Sequence, residues 1–297
     1  MIGRAENIAT PARVILSEDL SPREFLAACK PDHSHGSSTS EDSHFTGTDS
    51  YDEAARLALE GWPEGRNKVA AISTGLVAEL SGRIQREEWV ADVEGQVIDV
   101  GLYLSGEPEC CRRLDLVDSI IGSARPFIRI VISGTVSAGV STEVITTRGA
   151  AIAALADLME LAGYAVQVDV IFPNSSQRYG KGGRYLCSTV HVKQSSERLD
   201  LDSLTFWTAH PSALRRIAFA RWEALDEENR RTFGFGTSGY DRCGYGNVCD
   251  PPAADLEGVD VYLGSALLGA DHWNSPEKAR AWIESSLGTL GVKLQTA

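Results

Sequence analysis

Residues 127–172 read FIRIVISGTVSAGVSTEVITTRGAAIAALADLMELAGYAVQVDVIF, and this stretch decides the predicted fold. Phe127–Ile132 is a short apolar strand, and Ala165–Phe172 is a second one. Between them we predict a helix over 143–161, because its apolar residues keep helical spacing and its alanines leave almost no polar face. Such a helix must be buried, so we expect it to connect two parallel strands and to pack against their sheet.

The alternation of strands and helices continues towards the C-terminus. Strands are predicted over Tyr185–Val192 and Val259–Leu268, a helix over 211–228, and a last helix that begins at Ser275-Pro276. This order is typical of the α/β class. We expect a mostly parallel sheet with helices on both faces and Phe127–Ile132 as its central strand.

The rest of the chain predicts an N-terminal α+β region. Residues 1–48 are predicted as an N-terminal segment and polar linker, 49–124 as a helical and β region, and 125–297 as the α/β domain. A helix is expected to start at Ser21–Glu24, with proline at its first position. The small polar residues 33–44 predict a solvated loop, with a weak metal chelate by its histidines as the alternative.

The region 49–124 is predicted to begin with a short helix. Ser50 and Glu53 form a capping-box pattern, and Gly61 ends the helix. The spacing of apolar residues predicts a second helix over 67–86, and residues 88–104 have the composition of strands.

The composition excludes several classes of protein. The 41 acidic residues against 28 Lys and Arg give a net charge of −13, which disfavours binding to nucleic acid and to anionic membranes. With 43% hydrophobic residues the chain can build a packed core, yet no apolar run is long enough to cross a membrane. The first residues lack the apolar centre of a secretion signal, so a cytoplasmic protein is expected.

In a cytoplasmic protein we expect the cysteines to be free thiols. Cys243 and Cys249 flank a Gly-rich loop, where a zinc clip or a disulfide is the alternative. We favour free thiols because a structural zinc site needs four ligands.

Hydroxyl side chains follow the first strand of the central unit at Ser133, Thr135 and Ser137, and no dinucleotide-binding or P-loop motif is present. Residues 125–295 resemble a von Willebrand factor A-like domain, particularly the cobaltochelatase-associated type, in which Asp-x-Ser-x-Ser at this place binds a divalent cation. The resemblance implies that these three residues occupy the cation site, with Asp271 near the family's late aspartate. The first half resembles uncharacterised proteins of bacteriophages and actinobacterial mobile elements, which implies the host cytoplasm.

The resemblance breaks at the first residue of this motif, where Ser133 replaces the aspartate. Mg²⁺ gains most of its affinity from carboxylates. We therefore predict that the cation site is lost, that no cofactor is bound, and that the three hydroxyls point outward beside Asp271. A remodelled Mg²⁺ site that includes Glu143 is the alternative.

Two further stretches support binding hypotheses. Residues 234–245 are rich in glycine and aromatic residues, and Phe235, Tyr240 and Tyr245 are predicted to form a recognition loop. Five arginines lie between residues 215 and 231. We expect them to form a solvated helix face that pairs with nearby acidic side chains, and a binding site for an anion or a partner is the alternative. His191 and His210 are predicted to be structural.

The favoured hypothesis is a non-enzymatic binding or assembly protein that engages a protein partner through its von Willebrand A-like domain. The first alternative is a metal-dependent enzyme that uses Asp271, His272, Glu143 and the loop after Ser133. The second alternative is an acidic inhibitor that mimics nucleic acid, and it rests on the net charge alone. The sequence leaves the partner and the oligomeric state open.

Overall fold

The computed structural model describes residues 13–31, 37–67, 70, 84–117, 125–176, 183–233, 235, 244–267, 273, 275–290 and 292–294. The strands are β1 (Arg13–Leu20), β2 (Ile84–Asp92), β3 (Val97–Ile98), β4 (Cys111–Val117), β5 (Phe127–Ser133), β6 (Ala165–Ser175), β7 (Arg184–Lys193), β8 (Asn247–Val248), β9 (Val261–Leu263) and β10 (Val292–Leu294). The α-helices are α1 (Pro22–Ala28), α2 (Ser43–Thr46), α3 (Tyr51–Glu60), α4 (Val100–Leu104), α5 (Thr142–Leu161), α6 (Leu201–Ala209), α7 (Phe219–Glu223), α8 (Glu227–Phe233) and α9 (Pro276–Thr289). A π-helix (Ala213–Ala218) precedes α7, and 3-10 helices cover Ser37–Thr39 and Ala253–Leu256.

The larger sheet has six strands in the order β1-β7-β6-β5-β9, with β8 paired to β6. The pairs β1·β7, β5·β6 and β5·β9 are parallel, whereas β6 is antiparallel to β7 and β8. The α/β class, the mostly parallel sheet and the predicted β5–α5–β6 unit are confirmed. The prediction that β5 is the central strand is wrong. β6 lies in the middle of the sheet, because β7 and β1 follow it on the side away from β5.

The helices of the main core pack on one face of this sheet. Ile130 and Val168 point to that face and join one cluster with the buried alanines of α5. Their neighbours Val131 and Ile171 point to the opposite face, as the two-residue period of a strand requires. On that second face Cys249 packs against strand residues that include Tyr262 of β9, and no α-helix among the described residues joins this cluster, so the expectation of helices on both faces is not met.

The N-terminal elements are part of the same core. β1 pairs with β7 along its length, and Phe25 of α1 and Ala54 of α3 are completely buried in the main cluster. The predicted boundary at residue 125 therefore does not separate two cores. The pairing of β1 with β7 joins residues more than half of the chain apart, so no local pattern in the sequence indicates it.

The smaller sheet is antiparallel throughout, in the order β10-β2-β4-β3. Two sequence predictions are corrected here. Residues 84–86, expected to end a helix, belong to β2 and pair with β10; most of the helix predicted over 67–86 lies outside the described residues. Residues 100–104, expected to be a strand, form α4, because the carboxylate of Asp99 accepts the amides of Gly101 and Leu102.

Helix starts are the most accurate predictions. Ser21 forms a complete capping box with Glu24, and Ser275 caps α9 ahead of a proline. Ser50 caps α3 as predicted, but the carboxylate of Glu53 accepts the amide of Asp49 rather than that of Ser50. The helix predicted over 211–228 is divided into the π-helix, α7 and the start of α8, and α6 was not predicted.

Candidate functional site

The first candidate site is the crevice at the carboxyl ends of β5 and β9. These strands are parallel neighbours, and the loops that follow them meet where the amide of Ser137 donates to the carbonyl oxygen of Ala266 at 2.9 Å. The chain leaves β5 for β6 on one side, and β9 lies on the other side. Ligands of open α/β sheets bind at such switch points.

The hydroxyls expected to point outward are turned into the protein. Ser133 is completely buried, and its Oγ lies 2.7 Å from the Oγ of Ser265. Ser265 donates to the carbonyl oxygen of Cys249, so Ser133 is the donor between the two hydroxyls. Thr135 is also buried and donates to the carbonyl oxygen of Pro173 at 3.0 Å. The prediction of outward hydroxyls is wrong for both residues, because each has an internal acceptor.

The remaining predicted members of this site do not join these hydroxyls. Ser137 is half-buried and contributes its amide, while Glu143 is exposed in the first turn of α5. Asp271 and His272 lie outside the described residues. In the part of the chain that the structure describes, no three His, Cys, Asp or Glu side chains are grouped to hold a metal ion.

A guanidinium occupies the crevice instead. Arg148 of α5 is buried, and its Nη2 donates to the carbonyl oxygens of Ser133 at 3.3 Å and Gly264 at 2.6 Å. Burial lowers the pKa of Arg148 to about 10, a shift that nearby Tyr262 and Asp250 oppose, so the group stays charged at neutral pH. The cation at this strand end is therefore supplied by the chain itself. Sequence reasoning missed Arg148, which lies in an apolar helix where a buried cation is unexpected.

Asp250 also lies at this crevice, whereas the sequence indicated it only as a possible ligand beside Cys243 and Cys249. One of its carboxylate oxygens accepts the amide of Ser265 and the hydroxyl of Tyr262, both at 2.7 Å. The described carboxylate next to the crevice thus serves to fix the loop after β9.

The predicted recognition loop belongs to the core where it is described. Phe235 is buried and stacks on Trp222, with ring centroids 5.3 Å apart. Tyr245 stacks on Phe219, and its hydroxyl donates to the carboxylate of Glu223. These two aromatic residues are not a recognition surface, and Tyr240 and Cys243 lie outside the described residues. Cys249 and the other described cysteines are free thiols.

The arginines of the π-helix are internal rather than solvated. Arg216 is completely buried and donates to the hydroxyl of Thr48 and to the carbonyl oxygens of Ser38, Ser40 and Thr48. Arg215 likewise donates to carbonyl oxygens, those of Phe45, Ala138 and Val140. Residues 37–40 are therefore packed onto the π-helix, and the solvated-loop prediction is wrong for them, whereas residues 41–44 are exposed; His33 and His35 lie outside the described residues.

A buried carboxylate organises the second face of the large sheet. Asp169 is completely buried, with Arg129 Nε at 2.7 Å from one oxygen and His191 Nδ1 at 2.8 Å from the other. Gln167 also donates to this carboxylate. The placement of His191 in this network agrees with the structural role predicted for it.

The second candidate site is on the smaller sheet, whose apolar side chains are exposed. Of the 13 exposed large hydrophobic residues in the described part of the chain, eight lie between residues 89 and 114. We call these eight the apolar surface: Trp89, Val93, Val97, Ile98, Val100, Tyr103, Leu104 and Leu114. It takes in both faces of the smaller sheet, because the adjacent β3 residues Val97 and Ile98 point to opposite faces. Trp89 and Leu114 face each other across β2 and β4, and Leu104 is 78% exposed. Such a concentration is typical of interaction sites on soluble proteins.

The same region is mostly acidic. Residues 86–115 contain eight Asp and Glu against three Arg and no Lys. Two of these arginines, Arg112 and Arg113, are ion-paired with Asp99 at 3.0 Å and with Asp92 at 2.9 Å. Carboxylates thus outnumber cations in the region that holds the apolar surface.

Residues 10–292 match the model of a domain of unknown function, DUF7192, and the chain belongs to that family. Searches among curated proteins and among solved structures found no match. In the described residues, no helix combines the length and apolar character that a membrane span requires.

Proposed function

We propose that this chain is a non-enzymatic binding or assembly protein that engages a protein partner through the apolar surface of its smaller sheet. The observation that carries the proposal is the concentration of exposed apolar side chains between residues 89 and 114. Interfaces between proteins have such apolar centres, enriched in aromatic residues, with polar rims. Trp89 and Tyr103 are residues of the type that dominates binding energy.

The crevice after β5 supports a binding role over a metal-dependent enzyme. The positive charge of Arg148 and the internal hydrogen bonds of Ser133 and Thr135 oppose the entry of a divalent cation. The resemblance to von Willebrand A-like domains suggests the same class of function, with the binding surface moved away from the strand ends. Apolar side chains between the carboxylates favour a protein interface over a mimic of nucleic acid.

The test compares two variants with equal numbers of exposed apolar residues replaced. The sheet variant carries Val97→Ser and Leu104→Ser, and the control carries Leu59→Ser and Leu161→Ser, from α3 and α5. Exposed substitutions change stability by only about 0.5 kcal/mol each, so both variants are expected to fold, which melting curves check.

Affinity purification from cells that naturally express the protein then gives the readout. We expect a partner that co-purifies with the wild type and the control and is lost from the sheet variant. A partner retained by the sheet variant, or lost equally from both variants, contradicts the proposal.

A further inference from the structure

Among the described residues, part of the outer edge of β2 has no strand partner. β2 pairs with β4 from Arg86 to Asp92, but with β10 only from Ile84 to Arg86. On the β10 side, no strand among the described residues pairs with Glu87–Asp92. Six residues of strand present about 20 Å of edge, which is enough for a peptide segment to pair with.

Three of the six residues on this edge are charged, and all three are acidic, so they oppose an acidic strand but not a basic one. Natural edges are protected by charged side chains, lysine above all, and by proline, bulges or a covering element. Glu87–Asp92 contains no lysine or proline, and its register with β4 has no shift. Trp89 is half exposed on this strand, with Leu114 opposite it on β4. The edge therefore offers both backbone groups and an adjoining apolar face.

The net charge around this edge favours one kind of binding segment over another. Residues 86–115 hold eight Asp and Glu against three Arg, and this net charge of −5 favours a basic segment. A second copy of the chain is disfavoured, because antiparallel pairing of two Glu87–Asp92 edges about a twofold axis sets Glu87 opposite Asp92 of the other copy. Like charges directly opposite each other destabilise a strand pair.

From this combination we infer that an extended basic segment of the partner protein adds to β2 as a further strand, next to Glu87–Asp92. The inference rests on the proposed function and specifies how the partner is held. Main-chain hydrogen bonds to β2 supply affinity, and alternate side chains of the segment contact the sheet and supply specificity. The segment is expected to alternate apolar residues with Lys or Arg.

The first experiment selects binders from a displayed library of random ten-residue peptides, with the full chain as bait. We expect enrichment of peptides with alternating apolar and basic residues. Enrichment of acidic peptides, or of none above background, overturns the inference. Self-association in sedimentation that protects the amides of Glu87–Asp92 from exchange overturns it as well, since the occupant is then a second copy.

The second experiment tests strand addition itself with the best selected peptide. Backbone amide exchange in Glu87–Asp92 is expected to slow on binding. N-methylation of the peptide at successive positions is expected to abolish binding at every second residue only, because alternate N–H groups of a strand point to the same edge. Uniform tolerance of N-methylation, or protection elsewhere alone, contradicts strand addition.

A matched pair of variants tests the charge argument. Ala91 is exposed on β2, and Ala91→Lys and Ala91→Glu place opposite charges at one position. We expect Ala91→Lys to weaken binding of the peptide about threefold, which lies within the range of energies for cross-strand charge pairs. We expect Ala91→Glu to leave binding unchanged or to strengthen it. Equal effects of the two variants overturn the basic character of the segment. If the natural partner still depends on Val97 and Leu104 while these tests fail, the proposed function stands and only strand addition is lost.

Discussion

The Nη2 of Arg148 lies 2.6 Å from the carbonyl oxygen of Gly264 and also donates to that of Ser133, so one guanidinium joins the ends of β5 and β9. In a sheet of this kind the same crevice is where a ligand or metal would bind. Here the chain fills it, and the site that we propose for a protein partner is instead the apolar surface of the smaller sheet.

Replacing Arg148 is expected to destabilise the fold. Arg148→Met keeps most of the volume but removes the donor from two carbonyl oxygens, and we expect a loss of about 2 kcal/mol in the free energy of unfolding. The loss is moderated because Arg148 Nε is buried without a hydrogen-bond partner among the described residues. Chemical denaturation measures the effect, and an unchanged midpoint contradicts the assigned role.

The buried guanidinium also changes what Ser133→Asp should do. From the sequence alone, this substitution is expected to restore a Mg²⁺ site. In the structure, the new carboxylate would lie beside Arg148 and pair with it, so we expect no change in melting temperature with millimolar Mg²⁺. A Mg²⁺-dependent gain is expected only in the double variant Ser133→Asp with Arg148→Ala, because ligand binding to the native state alone raises stability. Stabilisation of the wild type by Mg²⁺ would refute this.

The segment 37–48 is expected to be essential for folding. Arg216→Met leaves buried acceptors on Ser38, Ser40 and Thr48 without a donor, which is expected to cost about 3 kcal/mol of unfolding free energy. Arg231→Met is the control, because Arg231 is 71% exposed in its ion pair and such pairs contribute at most about 1 kcal/mol. Urea denaturation compares the two; similar midpoints would show that the packing of this segment is not needed.

Acid is expected to destabilise the protein through His210. Burial lowers the pKa of His210 to about 4, and its Nδ1 accepts the amide of Ser212 at 3.1 Å, which requires the unprotonated ring nitrogen. Below pH 6.5, His210 therefore binds a proton in the unfolded chain, whereas in the folded chain it stays largely unprotonated until the pH approaches 4. Stability from this group is complete above its unfolded pKa and falls as pH drops towards 4, by about 2 kcal/mol. The slope of stability with pH should be shallower in His210→Gln, and equal slopes would contradict this.

Sequence reasoning was accurate where structure is local. The β5–α5–β6 unit and the caps at Ser21 and Ser275 depend on residues within a turn or one apolar repeat, so spacing alone indicates them. The pairing of β1 with β7 and the contact of Arg216 with Ser38, 178 residues away, are set by tertiary packing. Neither leaves a local pattern.

The candidate sites show the same limit. A motif reveals that Ser133 replaces an aspartate, but not that Arg148 reaches the crevice, since its acceptors are main-chain carbonyls with no sequence signature. Aromatic residues near glycines suggested a recognition loop, yet Phe235 and Tyr245 stack into the core. The apolar residues of 88–104 are predicted as strands from the sequence, and their exposure depends on tertiary packing that no local pattern shows.

The most direct measurement of the central claim is site-specific photo-crosslinking in cells that naturally express the protein. A photoreactive side chain is placed in turn at Ile98, on the apolar surface, and at Leu161 of α5, which is equally exposed at 60% against 59%. The account predicts a discrete crosslinked product from Ile98 and none from Leu161. Crosslinks from Leu161 alone, or from neither position, would contradict the claim that the smaller sheet is a protein-binding surface.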